Sequence, residues 1–263
     1  MEEKMPKILV CYKWTLDEQD IKIDPADQSL DTSRAKYVIS EYDKNAIEEA
    51  TLMLENQGAN VDVVTYGTDA VKQSLKDVLS RGPEQVFCIS DAEAVKADAF
   101  VTANVLAAFV RKHGPYDLIL CGDGSSDQYN QQVAGRLGTA LNIPVITYAN
   151  KIALEGSTLT VSRKLDDCTE TVKTQCPALV SVLPEINKPR IPSLKQVLAA
   201  GKKPKTELTA ADLGLSAEEK NPKTESISVK GFVMSRKNMI FKDSDASANV
   251  NQLVASLKSE NLA

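Results

Sequence analysis

Along residues 7–121, short apolar runs alternate with helix-length amphipathic segments, and that alternation restricts the fold more than any other feature of the chain. Residues 7–13 (KILVCYK), 60–66 (NVDVVTY), 85–89 and 117–121 have the length and apolar richness of strands buried on both faces. Residues 42–55, 70–79 and 97–112 separate them with helical periodicity. In the first of these, Ala46, Ile47, Ala50, Leu52 and Leu54 supply apolar surface, while Asn45, Glu48 and Glu49 are expected to face outward. Strands joined by helices of this length imply right-handed crossovers and an α/β fold, an open, mostly parallel, doubly wound sheet covered on both sides. A ligand of such a sheet binds beyond the carboxyl ends of the strands, where the strand order reverses. That rule gathers Tyr12 and Lys13, Tyr66 and Gly67, and the loop 122–134 on one edge.

The loop belongs to residues 116–144 (YDLILCGDGSSDQYNQQVAGRLGTALNIP). An apolar strand turns polar at Gly122, and Gly124 with Asp123, Ser125, Ser126 and Asp127 supplies turn and capping residues, Asp127 being the expected helix cap. Val133, Leu137, Ala140 and Leu141 then make one apolar stripe of a helix. The free N–H groups of a first helical turn, at the positive end of the helix dipole, suit a phosphate or pyrophosphate. The turn matches neither GxGxxG nor GxxxxGK[ST], however, and many strand-to-helix turns hold nothing. Asp123 and Asp127 also argue against a phosphate beside their own side chains. Taken alone, the turn leaves a nucleotide site and an empty turn both open.

Composition narrows the classes. With 263 residues and 43% hydrophobic content the chain can bury a full core, and a net charge of −5 argues against nucleic acid. The start MEEKMPKILVCYK lacks the pattern of a signal peptide, and no apolar run reaches membrane-spanning length, so a cytoplasmic protein without a membrane role is expected. Five cysteines without CxxC spacing and a single histidine give no support to a zinc site or a Cys–His nucleophile, so no metal is expected. Cys11, Cys88 and Cys121 fall in strand-like runs and read as core. His113, before Gly114 and Pro115, reads as a partner of a helix C-terminal dipole.

After Pro144 the helical crossovers stop. Residues 151–154, 158–164 and 170–175 alternate as antiparallel strands with turns at Glu155–Gly156 and Asp166–Asp167, and residues 178–183 are a further buried strand. Residues 187–205 (NKPRIPSLKQVLAAGKKPK) are proline-rich and basic around a short helix starting near Ser193, which suits a surface arm or a solvated linker. Residues 206–245 are polar, with too few apolar positions for a separate core, and residues 250–257 (VNQLVASL) form an amphipathic helix that needs another surface.

The stretches KILVCYK, EYDKNAIEEA, DVLSRGPEQ, DLILCGDGSSDQYNQQVAGRLG, VSRKLDDCTETVKTQCPALVSV and INKPRIPSLKQVLAAGKK cover nearly the whole chain. Together they resemble the beta subunit of electron transfer flavoprotein, in the branch associated with carnitine metabolism and nitrogen fixation. Arg163, Asp166, Asp167, Glu170 and Pro177 stand at the positions of the family signature, with Cys168 where an acid or glycine is usual. The resemblance implies an adenine-nucleotide alpha-hydrolase-like domain over residues 1–185, a partner-anchoring arm over 186–205 and an extension over 206–263 that packs on a partner subunit. It implies a heterodimer with an alpha subunit that carries one FAD, and a second nucleotide in this chain. By position that nucleotide meets Cys11, Tyr12, Lys13, Ser40, Asp43, Tyr66, Gly67, Gly122, and the run Asp127, Gln128, Tyr129, Asn130, Gln131, Gln132, Val133 and Ala134.

Members that hold AMP carry Cys-Asn-Gln-Thr-Gly at the turn, whereas Gln132, Val133 and Ala134 align with the Gln-Val-Gly of FAD-binding members. FAD is therefore the expected ligand and AMP the alternative, with Ala134 replacing a glycine. The resemblance further implies that Pro189, Arg190 and Leu194 bind a partner, with Leu194 as the anchor for an acyl-CoA dehydrogenase or enoyl-CoA reductase. Electrons would pass from NADH through flavin to that partner and, in a bifurcating complex, to a low-potential carrier such as ferredoxin; a member holding AMP would be a simple shuttle. The flavin, and no side chain of this protein, handles the redox chemistry. An ATP-binding stress-type sensor module would explain the sheet and glycine turn but not the antiparallel strands, arm or tail. An enzyme acting on a nucleotide lacks an evident acid–base pair.

Overall fold

The computed structural model describes residues 5–233 and 236–262. Its strands are β1 (Lys7–Cys11), β2 (Trp14–Leu16), β3 (Lys22–Ile23), β4 (Leu30–Asp31), β5 (Tyr37–Ile39), β6 (Asn60–Gly67), β7 (Gln85–Ser90), β8 (Leu118–Gly122), β9 (Val145–Glu155), β10 (Thr158–Lys164), β11 (Thr169–Gln175), β12 (Ala178–Val182) and β13 (Lys205–Thr209). The helices are α1 (Glu41–Gln57), α2 (Leu75–Ser80), α3 (Ala99–His113), α4 (Val133–Leu141), α5 (Leu194–Ala200) and α6 (Ala246–Ser259). The chain forms two units, one of Met1–Lys22 with Asp31–Val229 and one of Ile23–Leu30 with Lys230–Ala263.

In the larger unit, nine strands form one sheet in the order β11-β10-β9-β12-β8-β1-β6-β7-β13. β12, β8, β1, β6, β7 and β13 are parallel to their neighbours, and β10 runs antiparallel to both β9 and β11. The expected α/β class and mostly parallel sheet are therefore present. Val, Ile and Leu fill both faces of the central strands, which gives the sheet a core on each side. On one face Ile8, Val10, Val61, Val63, Leu118, Leu120 and Val180 meet Ala46, Ile47, Ala50 and Met53 of α1 and Leu75, Val78 and Leu79 at α2. On the other, Leu9, Val64, Ile119 and Leu179 meet Val105, Leu106 and Phe109 of α3 and Ala134 and Leu137 of α4.

Two strands differ from the sequence reading. β9 begins at Val145, six residues before the expected start, because its first half pairs in parallel with β12 and only its second half pairs antiparallel with β10. β13 lies in what reads as a polar tail and adds in parallel to β7. The chain reaches that edge because Lys203 Nζ donates to the carbonyls of Leu79, Gly82 and Pro83 (3.0, 2.8 and 2.6 Å), so an ammonium group satisfies carbonyls at and just beyond the end of α2. The segment expected as helix 70–79 is split into a 3-10 turn, Asp69–Ser74, and the short α2.

In the smaller unit α6 starts at an Asp245 cap and has no buried residue, leaving Val250, Leu253 and Val254 exposed. Among the described residues no helix is long and apolar enough to cross a membrane.

Cys11, Cys88 and Cys121 are buried, as their strand positions imply. His113 lies in the last turn of α3, as expected, but its ring is packed among aromatic side chains. Its ring stacks on Phe109 (4.7 Å) and lies 5.1 Å from Phe87, its Nε2 is buried without a partner, and burial with the nearby Lys112 and Lys7 charges holds its pKa below the ordinary 6.5. A folded-state pKa below the unfolded one means the unfolded chain takes up the proton first as pH falls. Stability should therefore decline from pH 6.5 downward until the folded-state value is passed. The slope of urea midpoint against pH in that window should shrink in His113→Phe, which keeps the ring and removes the titration.

Candidate functional site

The strand order reverses between β1 and β8. From β1 the chain proceeds to β6 and β7 on one side, then returns to β8 and continues to β12 on the other. The crevice of a doubly wound sheet lies outside such a pair, here beyond Cys11–Lys13 and Gly122–Asp123. Helix α1 starts at its rim. Ser40 donates its N–H to the Lys13 carbonyl (3.0 Å), and three residues later the Asp43 carboxylate accepts from Lys13 N–H through Oδ2 (2.7 Å) and from Gly122 N–H through Oδ1 (3.0 Å). One buried carboxylate thus joins the ends of the two switch-point strands. Burial pushes its pKa up to about 7, against the Lys13 and Gly122 N–H bonds that favour the charged form. Gly122 is required by this approach, since a Cβ there would lie 2.6 Å from Asp43 Oδ1 and 2.8 Å from the backbone of Tyr42.

Residues 123–132 span the same crevice. Ser126 N–H donates to Ser40 Oγ (3.2 Å), Lys13 Nζ pairs with Asp127 Oδ2 (2.6 Å), and the Tyr129 ring packs on Tyr42 with centroids 5.0 Å apart. Buried Asp123 is the centre of the loop. It accepts from Ser181 Oγ (3.2 Å), Gln131 Nε2 (2.5 Å) and Tyr129 hydroxyl (3.4 Å). Tyr129 and Gln131 hold left-handed backbone, with φ of 45° and 54°, a conformation that non-glycine residues rarely adopt.

Asp127 does not cap α4. The helix begins at Val133, with Gln132 at the N-cap making no side-chain cap, and the Gln132 amide oxygen instead accepts from Arg136 (3.1 and 3.0 Å). Burial alone would raise the Asp127 carboxyl, but Lys13 and bonds from Ser125 and Gln128 hold it below the usual range. The acids that seemed to oppose an anion are thus committed elsewhere, Asp123 to three neutral donors and Asp127 to Lys13. The Ala134 methyl is buried in the core with Leu137, so it is no obstacle outside the helix, and a Cβ on Gly135 would meet nothing within 4 Å. Ser126 Oγ is buried without a partner. An uncapped α4 N-terminus with open space at Gly135 fits the phosphates of a nucleotide, and the crevice beside it offers polar groups for the rest.

The other positions are distributed unevenly. Cys11 and Cys121 are in register on β1 and β8 and point into the core under α4; their mutual contact and burial push the Cys121 thiol up. Tyr12 turns to the opposite face, where its hydroxyl bonds Ser74 Oγ (2.8 Å), so only its backbone faces the crevice edge. Tyr66 and Gly67 end β6 on the same edge, with Tyr66 half-buried and its pKa raised to about 12 by burial and by Asp91 and Glu93. Gln128, Asn130 and Gln132 are exposed, and Val133 is half-buried. Tyr42 and Ser181 are absent from the sequence reading of the site, and Asp123, read there as a turn residue, is the centre of the loop. A serine near the end of the otherwise apolar run ALVSV was the available signal for Ser181. Among the described residues no group of three or more His, Cys, Asp or Glu side chains could hold a metal ion.

The arm leaves the sheet after β12. Asn45 and Glu48 of α1, expected to face outward, are 5% and 7% exposed, because the arm lies over them. Asn45 Nδ2 donates to the carbonyls of Pro184 (3.0 Å) and Asn187 (2.9 Å), Asn187 Nδ2 returns a bond to the Asn45 carbonyl (3.0 Å), and Arg190 binds Glu48 and Glu55. Pro189 is half-buried, whereas Ile191 and Leu194 are 93% and 75% exposed.

Asp43→Asn tests the bridge at the crevice. It places an amide N–H against Lys13 N–H or Gly122 N–H, and should cost roughly 1–3 kcal/mol of stability, measured by urea unfolding at pH 8. A family model described as the electron transfer flavoprotein domain matches residues 28–213, which include the crevice from Ser40 to Ala134 and the whole arm.

Proposed function

The chain belongs to the electron transfer flavoprotein family, and on that premise we propose that it is the beta subunit of a heterodimeric, electron-bifurcating complex, in the branch tied to carnitine metabolism and nitrogen fixation. It binds FAD at the β1–β8 crevice, beside an alpha subunit that carries a second FAD. The observation that carries this reading is the uncapped first turn of α4 at the strand-order reversal, with Asp43, Asp123 and Asp127 each turned to partners inside the protein.

In this reading the pyrophosphate is held by the N–H groups at Val133, Ala134 and Gly135, with the exposed side chains of Gln128, Asn130 and Gln132 beside it. Lys13, Ser40 and the backbone at Tyr12, Tyr66, Gly67 and Gly122 form the adenosine side. Flavin bound here would take a hydride from NADH and divide the electron pair between a low-potential carrier such as ferredoxin and, through the alpha-subunit flavin, an acyl-CoA dehydrogenase or enoyl-CoA reductase. The chain itself binds and orients the cofactor and sets the electrostatics around it. Its arm docks the dehydrogenase through Leu194, steered by the exposed Lys188, Lys195 and Lys202. Of residues 206–263, the stretch from Lys230 onward packs on the alpha subunit, which gives the exposed face of α6 a surface to cover. The complex works in the cytoplasm.

Cofactor released by acid from the purified heterodimer and resolved by chromatography tests the site: two FAD per heterodimer are expected, and one FAD with one AMP overturns the bifurcating assignment. Leu194→Ala should slow electron exchange with the dehydrogenase by about tenfold, a typical hot-spot loss, with cofactor content unchanged.

A further inference from the structure

Arg190 occupies the first turn of chain before the exposed part of the arm, and its side chain is fully committed inside the subunit. Its backbone N–H and Nε donate to Glu48 Oε2 (3.0 and 2.8 Å), Nη2 donates to Glu48 Oε1 and Glu55 Oε2 (2.9 Å each), and Nη1 donates to Glu55 Oε1 (2.5 Å). Its carbonyl accepts from Arg81 Nη1 (3.3 Å), and Arg81 is held in turn by Asp77 (3.1 Å). A planar fork shared by two carboxylates has one geometry, which a flexible ammonium cannot reproduce. Glu48 is buried, so it needs this cation.

The segment beyond is fixed at both ends. Ser193 and Gln196 form a capping box that starts α5, and Ala200 is fully buried at its far end. Between Arg190 and Ala200 the apolar side chains of Ile191, Leu194 and Leu198 stand 93%, 75% and 65% exposed. An exposed apolar ridge that must be ordered on docking loses affinity through that ordering, and a ridge already ordered does not.

We infer that Arg190 is a positioning residue for docking: clamped between Glu48 and Glu55 of α1, it holds the base of the arm so that Ile191, Leu194 and Leu198 meet the redox partner already in place. This depends on the docking role of the arm proposed above. It also separates Arg190 from the lysines around it, because two carboxylates neutralise its charge and leave it no part in attracting an acidic partner. Loss of the clamp should weaken binding without changing the salt dependence of association.

Arg190→Gln alone would leave Glu48 buried and unpaired, so the test is the double variant Glu48→Gln with Arg190→Gln, made in the intact heterodimer, with Arg190→Lys beside it. Electron exchange is followed with an acyl-CoA dehydrogenase reduced by its acyl-CoA substrate, at a series of heterodimer concentrations and salt strengths. The double variant should raise the half-saturating concentration about tenfold, keep the maximum rate, flavin content and salt slope, and show faster tryptic cleavage at Lys195. Arg190→Lys should fall between it and the unaltered protein. A half-saturating concentration within about twofold of the original, in a series where Leu194→Ala raises it, overturns the clamp and leaves the docking role standing. If Leu194→Ala is also without effect, the docking role falls too. A lower maximum rate with lost flavin would mark Arg190 as merely structural and overturn the inference.

Discussion

The carboxylate of Asp43 occupies the place where the ends of β1 and β8 would otherwise present two unpaired N–H groups to the crevice. In a doubly wound sheet that place, at the reversal of strand order, is where backbone donors converge. Filling it with an internal carboxylate has two consequences. The two central strands and the first turn of α1 are locked into one piece, and the N–H groups left without a side-chain cap are those of the first turn of α4. The approach is close enough that only glycine fits at position 122.

The same helix then serves the arm. Asp43 faces the strand ends, Asn45, Glu48 and Glu49 face the segment after β12, and Glu55 closes on Arg190. Ala46, Ile47, Ala50 and Met53 meanwhile bury the third face in the core. Two sequence stretches far apart, EYDKNAIEEA and INKPRIPSLKQ, are therefore halves of a single interlock. A helix with a polar face so thoroughly bonded is held by geometry as well as by apolar burial, because a buried acid or amide without its partner is costly.

The parallel sheet was legible because its strands are buried on both faces and its helices are amphipathic, two patterns that differ in period and length. The crevice edge followed from topology. What periodicity could not show was the role of polar residues on α1, since Asn45 and Glu48 look solvated until a second segment lies on them. β13 escaped for a related reason: KTELT has no apolar run, and its place beside β7 is set by tertiary contacts, Lys203 on the carbonyls at the end of α2 and Leu208 on the core. The first half of β9 was hidden because one strand changes partner and direction of pairing along its length. Asp127 has the right chemistry for a cap, but the helix starts later and Lys13 claims the carboxylate.

Three acids stand around the crevice proposed to receive an anion, and each has its own internal partners. Asp127 is balanced by Lys13 at 2.6 Å. Asp123 accepts hydrogen bonds from a serine, a glutamine and a tyrosine, none of which adds a cation. Asp43 spends both oxygens on the N–H groups of Lys13 and Gly122, while burial raises its pKa to about 7. The uncapped N–H groups of α4 therefore stand beside acids that are already bonded within the protein, with no basic side chain in the loop itself. That balance is what would let a loop with the composition GDGSSDQYNQQ, which has no lysine or arginine of its own, take the phosphates of the proposed nucleotide.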